Sequence, residues 1–243
     1  MYPKLLSFGP FTLYSYGLML ALAVLLSGGL LAREAGKRMG IARDVVYDLV
    51  FWVVLAGIAG ARFFYVFMNL KYFISSPLEI PMLWNGGLAW QGSFFGGLIA
   101  FLVFLRRKNI PVWRFLDLAA PYVALGHSIG RIGCLLNGCC YGKPAAWGLV
   151  LPSLDTPVHP TQVYMSLTQL IIFVLLKTGA SRNFRDGQIF VWYLLLSSID
   201  RFVIEFFRAD HLLYAGLSIF QYVCLAVFVF AFFVQMRLNR TRS

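Results

Sequence analysis

Three arginines in the sequence stand inside or at the edge of strongly apolar stretches, namely Arg62, Arg131 and Arg201. A guanidinium in hydrocarbon is costly unless it is paired or hydrated, so residues of this kind are candidates for function by default. The carboxylates that could pair with them are Asp117, Asp200 and Glu205. The chemistry to be explained is therefore that of charged groups in an apolar setting.

The spacing of Arg201 and Glu205 places both side chains on one helical face, with Arg208 one further turn along. One interpretation is a structural ion pair that neutralises itself. A single carboxylate cannot neutralise three guanidiniums, however, and the surplus positive charge favours an external anion. Guanidinium groups match phosphate oxygens in geometry. In a membrane protein, this chemistry indicates a phospholipid headgroup.

A second group of polar residues repeats along one apolar stretch, where His127, Arg131 and Cys134 are spaced i, i+4, i+7. This spacing predicts a polar stripe on one helix face. A row of small residues runs beside it, at Gly126, Gly130 and Gly133. Small residues let a second helix approach closely, so we expect the glycines to serve packing and the stripe to serve function.

Three cysteines cluster after this stripe, at Cys134, Cys139 and Cys140. In an oxidising compartment, Cys134 could form a disulfide with Cys139 or with Cys140. The alternative is a zinc site completed by His127 or His159. The spacing matches none of the common zinc patterns, so we predict no metal ligands and leave the disulfide open.

The composition identifies the setting as a membrane. Hydrophobic residues make up 60% of the 243, charged residues only 13%, and the mean hydropathy is +0.74. A soluble domain has roughly a quarter of its residues charged, which excludes a typical soluble enzyme, a disordered chain and a small disulfide-framed domain. The net charge of +11 is spread in short groups between apolar runs. This distribution argues against nucleic acid as a partner and for contacts to membrane lipid.

Seven apolar runs are long enough to span a bilayer. They lie roughly at 13–32, 45–67, 87–105, 115–136, 161–177, 188–207 and 214–236. Fourteen Lys and Arg residues follow the odd-numbered runs and four lie on the other side, which predicts an outside N-terminus and a cytoplasmic C-terminus. The fold class predicted is thus all-α, a polytopic membrane protein with seven transmembrane helices, in a single integral-membrane domain over residues 1–243.

Several short motifs, taken in order, resemble those of prolipoprotein diacylglyceryl transferases. The clearest is Gly130-Arg131-Ile132-Gly133, followed by Asn137-Gly138 and Gly142. The other blocks are Tyr16-Gly17, Gly60-Ala61-Arg62, Gly86-Gly87-Leu88, His159-Pro160-Thr161-Gln162-Val163-Tyr164 and Asp200-Arg201-Phe202 with Glu205, Phe206 and Arg208. Each block alone is weak, and six in sequence are strong.

The resemblance implies transfer of a diacylglyceryl group from phosphatidylglycerol to the lipobox cysteine of a prolipoprotein signal peptide. The products would be a thioether and glycerol phosphate, with no cofactor, at the bacterial cytoplasmic (inner) membrane. By resemblance, Arg131 and Arg201 are the essential arginines and Glu205 is the partner of Arg201. The substrate-binding residues expected on the same basis are Tyr16, Arg62, Gln91, Arg131, Asn137 and Gly142.

The chain departs from the family pattern at four positions. Gln91 stands where the family has a histidine that is a proposed base, and glutamine cannot act as a base. Cys134 and Cys139 replace an asparagine and a glutamate, and Met165 replaces a further glutamate. We therefore expect the base to be His127, one turn before Arg131, since histidine titrates near neutral pH. Two alternatives are a divergent paralogue that modifies another acceptor and a lipid-binding or transport protein without catalysis.

Overall fold

The computed structural model of the protein describes residues 3–8, 11–151, 154–179, 185–209 and 213–240. The helices are α1 (Ser15–Met39), α2 (Arg43–Met68), α3 (Leu70–Ser75), α4 (Trp90–Arg107), α5 (Val112–Asn137), α6 (Thr161–Gly179), α7 (Gln188–Glu205) and α8 (Ile219–Arg240). The strands are β1 (Lys4–Phe8), β2 (Phe11–Tyr14), β3 (Pro144–Leu149), β4 (Leu213–Tyr214) and β5 (Leu217–Ser218). Every one of the seven predicted apolar runs forms a long helix, which confirms the helical assignment.

The helices are those of a membrane protein. Within the described residues, α1, α2, α6 and α8 are both long enough and apolar enough to cross a bilayer, by length and composition. Large hydrophobic side chains such as Leu25, Phe63 and Phe230 are more than half exposed on these helices, as expected for faces that contact lipid.

The ends of the helices differ from the predicted runs where turns intervene. α4 begins at Trp90 because Gly86 and Gly87 adopt φ angles of +80° and +76°, which a helix cannot contain. α8 begins at Ile219 because the antiparallel pair β4–β5 occupies the first residues of the predicted run. The hairpins β1–β2 and β4–β5 are too short to produce a strand pattern in the sequence.

The chain groups into two compact units. The first, here the arginine unit, comprises Met1–Leu31 and Leu116–Ser243. In it, Gly126 and Gly133 of α5 let α1 approach, since a Cβ at these positions would stand 3.0 Å from the side chains of Ser27 and Met19. Gly130, between them, has nothing within 4 Å of that point, so only two of the three glycines serve packing there. α7 packs against α6 and α8 around small buried clusters.

The second unit comprises Ala32–Phe115 and is built on the packing of α2 against α4. The two helices approach with backbone against backbone at Gly60, Gly92 and Gly96. A Cβ at Gly60 would collide with the carbonyl of Gly92, and one at Gly96 with the carbonyl of Ala56. Only glycine allows this separation.

Candidate functional site

The predicted stripe on α5 places His127 and Arg131 in direct contact. The Nε of Arg131 donates a hydrogen bond to the Nε2 of His127 across 3.2 Å. Because Nε2 accepts, the imidazole is neutral and its proton is on Nδ1. Arg131 therefore keeps its two terminal nitrogens for other partners, and His127 sets the orientation of the guanidinium.

The predicted pair on α7 is also formed. The Nη2 of Arg201 lies 2.8 Å from the Oε2 of Glu205, and Glu205 is only 3% exposed. The hydroxyl of Ser218 donates to the other carboxylate oxygen, Oε1, across 2.9 Å. The Arg201 guanidinium also lies over the ring of Phe220, 5.2 Å from its centroid. Glu205 and Phe220 thus hold the side chain of Arg201 directly, and Ser218 supports it by holding Glu205.

Positive charge exceeds negative charge around these residues. Arg131 and Arg208 are both close enough to Arg201 for their charges to repel its guanidinium. Among the described residues, Glu205 is the carboxylate that forms an ion pair in this group. Asp200 attracts Arg131 and Arg201 at longer range, while its Oδ2 accepts a hydrogen bond from Gln169 across 2.7 Å.

Some of this charge is buried without a hydrogen-bond partner. The Nη1 of Arg201 and the Nε of Arg208 are buried donors with no acceptor in the described part of the chain. An unsatisfied buried donor, above all a charged one, is costly. The cluster is thus short of acceptors, and phosphate oxygens are the acceptors that guanidiniums suit best.

Tyr16, Asn137 and Gly142, expected to bind substrate, lie in the same unit as these arginines. The ring of Tyr16 packs 3.4 Å from the Cβ position of Gly133, and Tyr16 interacts electrostatically with Arg131. Asn137 is the exposed last residue of α5.

Gly142 has a structural reason to be glycine. Its N–H donates to the carbonyl of His159 across 2.9 Å, and it forms an antiparallel bridge with Arg208. A Cβ at this position would stand 2.7 Å from the Cβ of His159 and 2.9 Å from the side chain of Thr161. Gly142 therefore acts by joining the loop after α5 to the segment that carries Arg208.

The three clustered cysteines meet at the end of α5. Their Sγ atoms all lie within 4.8 Å of one another, and each is a free thiol. Hydrogen bonds from Cys134 and Cys139 lower the pKa of the Cys140 thiol, and the charges of Arg208 and Arg131 lower it further. This group, the thiol cluster, lies beside the predicted stripe on α5.

Arg62 differs from the other buried arginines because the protein supplies its partners. Its Nε donates to the carbonyl of Ile80 across 2.8 Å, Nη1 donates to those of Gly86 and Gly87, and Nη2 donates to that of Glu79. The guanidinium also lies over the rings of Tyr65 and Phe73, at 5.8 and 5.3 Å. These bonds satisfy the buried charge within the protein and give Arg62 a structural role in its unit, and its predicted contact with substrate stays a prediction.

Gln91 is the second residue of α4, half-buried, in the same unit as Arg62. Its place on the helix gives no further support to the role predicted for it. In the arginine unit, Gln169, Ser218 and Phe220 make contacts that were not predicted from the sequence. Gln169 and Ser218 are buried polar residues. Their place in or beside apolar runs is the sequence feature from which a role could have been predicted.

The chain is similar to known proteins over most of its length. Residues 3–237 match the family model described as prolipoprotein diacylglyceryl transferase. A phosphatidylglycerol–prolipoprotein diacylglyceryl transferase of Trichormus variabilis is 36% identical over 239 residues, which is 92% of this chain and 84% of that protein. Proteins of the same name from Halalkalibacterium halodurans and Bacillus cereus are 34% and 35% identical, over 86% and 91% of this chain and 76% and 86% of their own.

Proposed function

The chain belongs to the prolipoprotein diacylglyceryl transferase family, and we propose that it transfers a diacylglyceryl group from phosphatidylglycerol to a prolipoprotein. The acceptor is the thiol of the lipobox cysteine in the signal peptide. In the reaction, the bond between the diacylglycerol carbon and the phosphate oxygen breaks and a carbon–sulfur bond forms. Glycerol phosphate leaves, and the thiol proton passes to a base.

The observation that carries this proposal is the shortage of acceptors around Arg131, Arg201 and Arg208. Negative charge grows on the phosphate as it departs, and donors already in place stabilise that charge without reorganisation. The two terminal nitrogens of Arg131 and the buried Nη1 of Arg201 are available for this purpose. Glu205 acts as a positioning residue, because it holds Arg201 while Ser218 holds Glu205.

His127 has two tasks in this scheme. In the structure its Nε2 accepts from Arg131 and orients the guanidinium. When Arg131 turns towards phosphate oxygens, the Nε2 lone pair is released and can accept the thiol proton. Tyr16 and Asn137 complete the proposed binding site, and Gly142 keeps its surrounding loop in place.

An apolar cleft between α7 and α8 suits the acyl chains of the lipid. It encloses about 180 Å³ and is lined by Phe202, Leu225 and Phe228, among others. Ser198 and Phe202 line the cleft on α7, and Arg201 lies between these two residues in the sequence. Sites for small molecules commonly combine an apolar lining with a few charged groups in this way.

We place the protein in the bacterial cytoplasmic membrane as a single integral-membrane domain with seven spans. The four most apolar helices support membrane insertion, and we assign α4, α5 and α7 as the remaining spans because each has at least 18 residues. The distribution of Lys and Arg puts the N-terminus outside and the C-terminus in the cytoplasm.

The test is reconstitution of the purified protein with phosphatidylglycerol and a lipobox peptide. We expect mass spectrometry to detect a diacylglyceryl adduct on the peptide cysteine, and no adduct on a peptide whose cysteine is replaced by serine. Folded protein that forms no adduct with phosphatidylglycerol would contradict the proposal.

A further inference from the structure

The thiol cluster is built by a specific end to α5. The N–H of Cys139 donates to the carbonyl of Cys134, and the N–H of Gly138 donates to that of Leu135. This pair of bonds is a Schellman motif, and Gly138 has the positive φ of +72° that the motif requires. The reversal of the chain brings Cys139 back beside Cys134, and its thiol contacts the Cys134 carbonyl at 3.7 Å.

Cys140 joins the cluster through an unusual backbone conformation. Its φ is +63°, a region that costs a non-glycine residue about 1 kcal/mol or more. Two side chains at the start of α6 hold this arrangement. Thr161 donates to the carbonyl of Cys140 across 2.6 Å, and Gln162 donates to that of Cys139 across 2.7 Å. The backbone is therefore fixed so that all three sulfurs face one point.

The distances between the sulfurs match those of a metal site. A thiophilic ion lies about 2.3 Å from each thiolate, which places three ligand sulfurs about 4 Å apart. The Sγ atoms here lie within 4.8 Å of one another, so small side-chain rotations would complete the site. Cys134 is buried while Cys139 and Cys140 are half-buried, which leaves a path for an ion from the loop side.

The charges near the cluster suit three thiolates. Arg131 lies one turn before Cys134 on α5, and Arg208 reaches the neighbourhood through its bridge to Gly142. Both guanidiniums exert their charge on Cys140. Three thiolates and a singly or doubly charged ion carry net negative charge, which these arginines offset.

A disulfide accounts for the geometry less well. It would require two sulfurs to approach to about 2.05 Å and would leave the third thiol unused. It would not explain why the strained backbone of Cys140 is held in place to bring a third sulfur in. Three mutually close thiols are the ligand set of soft ions, whereas hard ions such as Mg²⁺ prefer oxygen.

We propose that Cys134, Cys139 and Cys140 form a three-thiolate binding site for one soft metal ion, of the class of Cu⁺ or Zn²⁺. Binding replaces the thiol protons, which pass to solvent, and involves no change of oxidation state. Metal binding does not require the transferase reaction, but the two sites are neighbours, since Arg131 and Arg208 contribute their charge to both. The cysteine spacing predicted no metal ligands. The proposed site differs from that prediction because the backbone conformation of Cys140 brings in a third sulfur.

The test uses the full-length reduced protein in detergent, incubated without oxygen with Zn²⁺, Cu⁺ or Mg²⁺ and then freed of unbound ion. We expect one Zn²⁺ or one Cu⁺ per chain by elemental analysis and no retained Mg²⁺. Cys134→Ser and Cys139→Ser should lose stoichiometric binding. Cys224→Ser is the matched control, since Cys224 is a half-buried thiol of α8 outside the cluster, and it should bind as the unaltered chain does.

A second measurement avoids variants that fail to fold. The unaltered protein is treated with a thiol alkylating reagent with and without bound ion, and the modified cysteines are identified by mass spectrometry. The ion should protect Cys134, Cys139 and Cys140 together and leave the reactivity of Cys224 unchanged. Equal binding by Cys134→Ser and the unaltered chain would overturn the proposal. So would a lack of protection, or isolation of the protein with two of the three cysteines joined in a disulfide under reducing conditions.

Discussion

At the scale of single residues, the arginines divide by what surrounds them. Arg62 has backbone carbonyls around its guanidinium. Arg201 instead lies near the like charge of Arg131 and forms an ion pair with Glu205. All three are equivalent in the sequence, because each is an arginine in an apolar run. Backbone acceptors such as those of Ile80 and Gly86 carry no sequence signal, so only the structure shows that the surroundings of Arg62 differ from those of the other two.

Arg131→Lys tests the role of the guanidinium fork. Lysine keeps the charge but cannot offer two parallel donors to a phosphate. We expect the rate of diacylglyceryl transfer to fall by about 100-fold or more, as for loss of a donor that stabilises transition-state charge. Arg107→Lys, at an exposed site at the end of α4, is the control and should retain the full rate. A normal rate for Arg131→Lys would contradict the assignment.

Two substitutions at His127 separate its two proposed tasks. Glutamine can still accept a hydrogen bond from Arg131 but cannot take a proton, and alanine can do neither. If His127 is the base, both His127→Gln and His127→Ala should lower the transfer rate by about 100-fold or more. Full activity of His127→Gln together with a loss in His127→Ala would leave His127 as a positioning residue only. The measurement is the initial rate of peptide lipidation at saturating phosphatidylglycerol.

At the scale of helices and turns, the hydrophobic runs of the sequence predicted the long helices of the fold. All seven long helices follow from run length, and the glycine row of α5 correctly indicates close packing at Gly126 and Gly133. The short hairpins and the positive φ of Cys140 could not be predicted, since a few residues give no periodicity and cysteine has no preference for that conformation. The contact of Arg131 with His127 was predicted from helical spacing. The contact of Ser218 with Glu205 could not be, because it joins the end of α7 to the residue before α8 across an irregular segment.

Gly92→Val tests the packing of α2 against α4. A side chain at this position would meet the Cβ of Phe64 at 2.5 Å and collide with the carbonyl of Gly60. We expect the substitution to destabilise the protein by about 1–3 kcal/mol or more, because the helices cannot separate without losing their contacts. The measurement is the thermal unfolding midpoint in detergent.

Gly17→Ala provides the matched control for Gly92→Val. A Cβ at Gly17, also in a helix, has nothing within 4 Å. Alanine there should leave the midpoint unchanged or raise it slightly, since it favours the helix by about 0.5–1 kcal/mol. A similar midpoint for Gly92→Val and Gly17→Ala would show that the close contact is absent in solution.

At the scale of the whole molecule, the proposed seven-span topology makes a prediction about the chain ends. Green fluorescent protein fused after Ser243 should fluoresce, because the proposed topology puts the C-terminus in the cytoplasm. Alkaline phosphatase at the same place should be inactive, while its insertion into the loop at 144–149, proposed to lie outside, should give activity. The opposite pattern would reverse the proposed orientation, and activity of the phosphatase at both places would contradict the three spans α6, α7 and α8 proposed between them.

The contact between α2 and α4 also limits how a lipid can travel. Where even a single methyl group collides with a carbonyl, a hydrocarbon tail has no gap to slide through. Lipid that diffuses in the bilayer therefore cannot pass between α2 and α4 at these glycines. A hydrocarbon chain that moves along this unit would have to pass around the pair and not between its two helices.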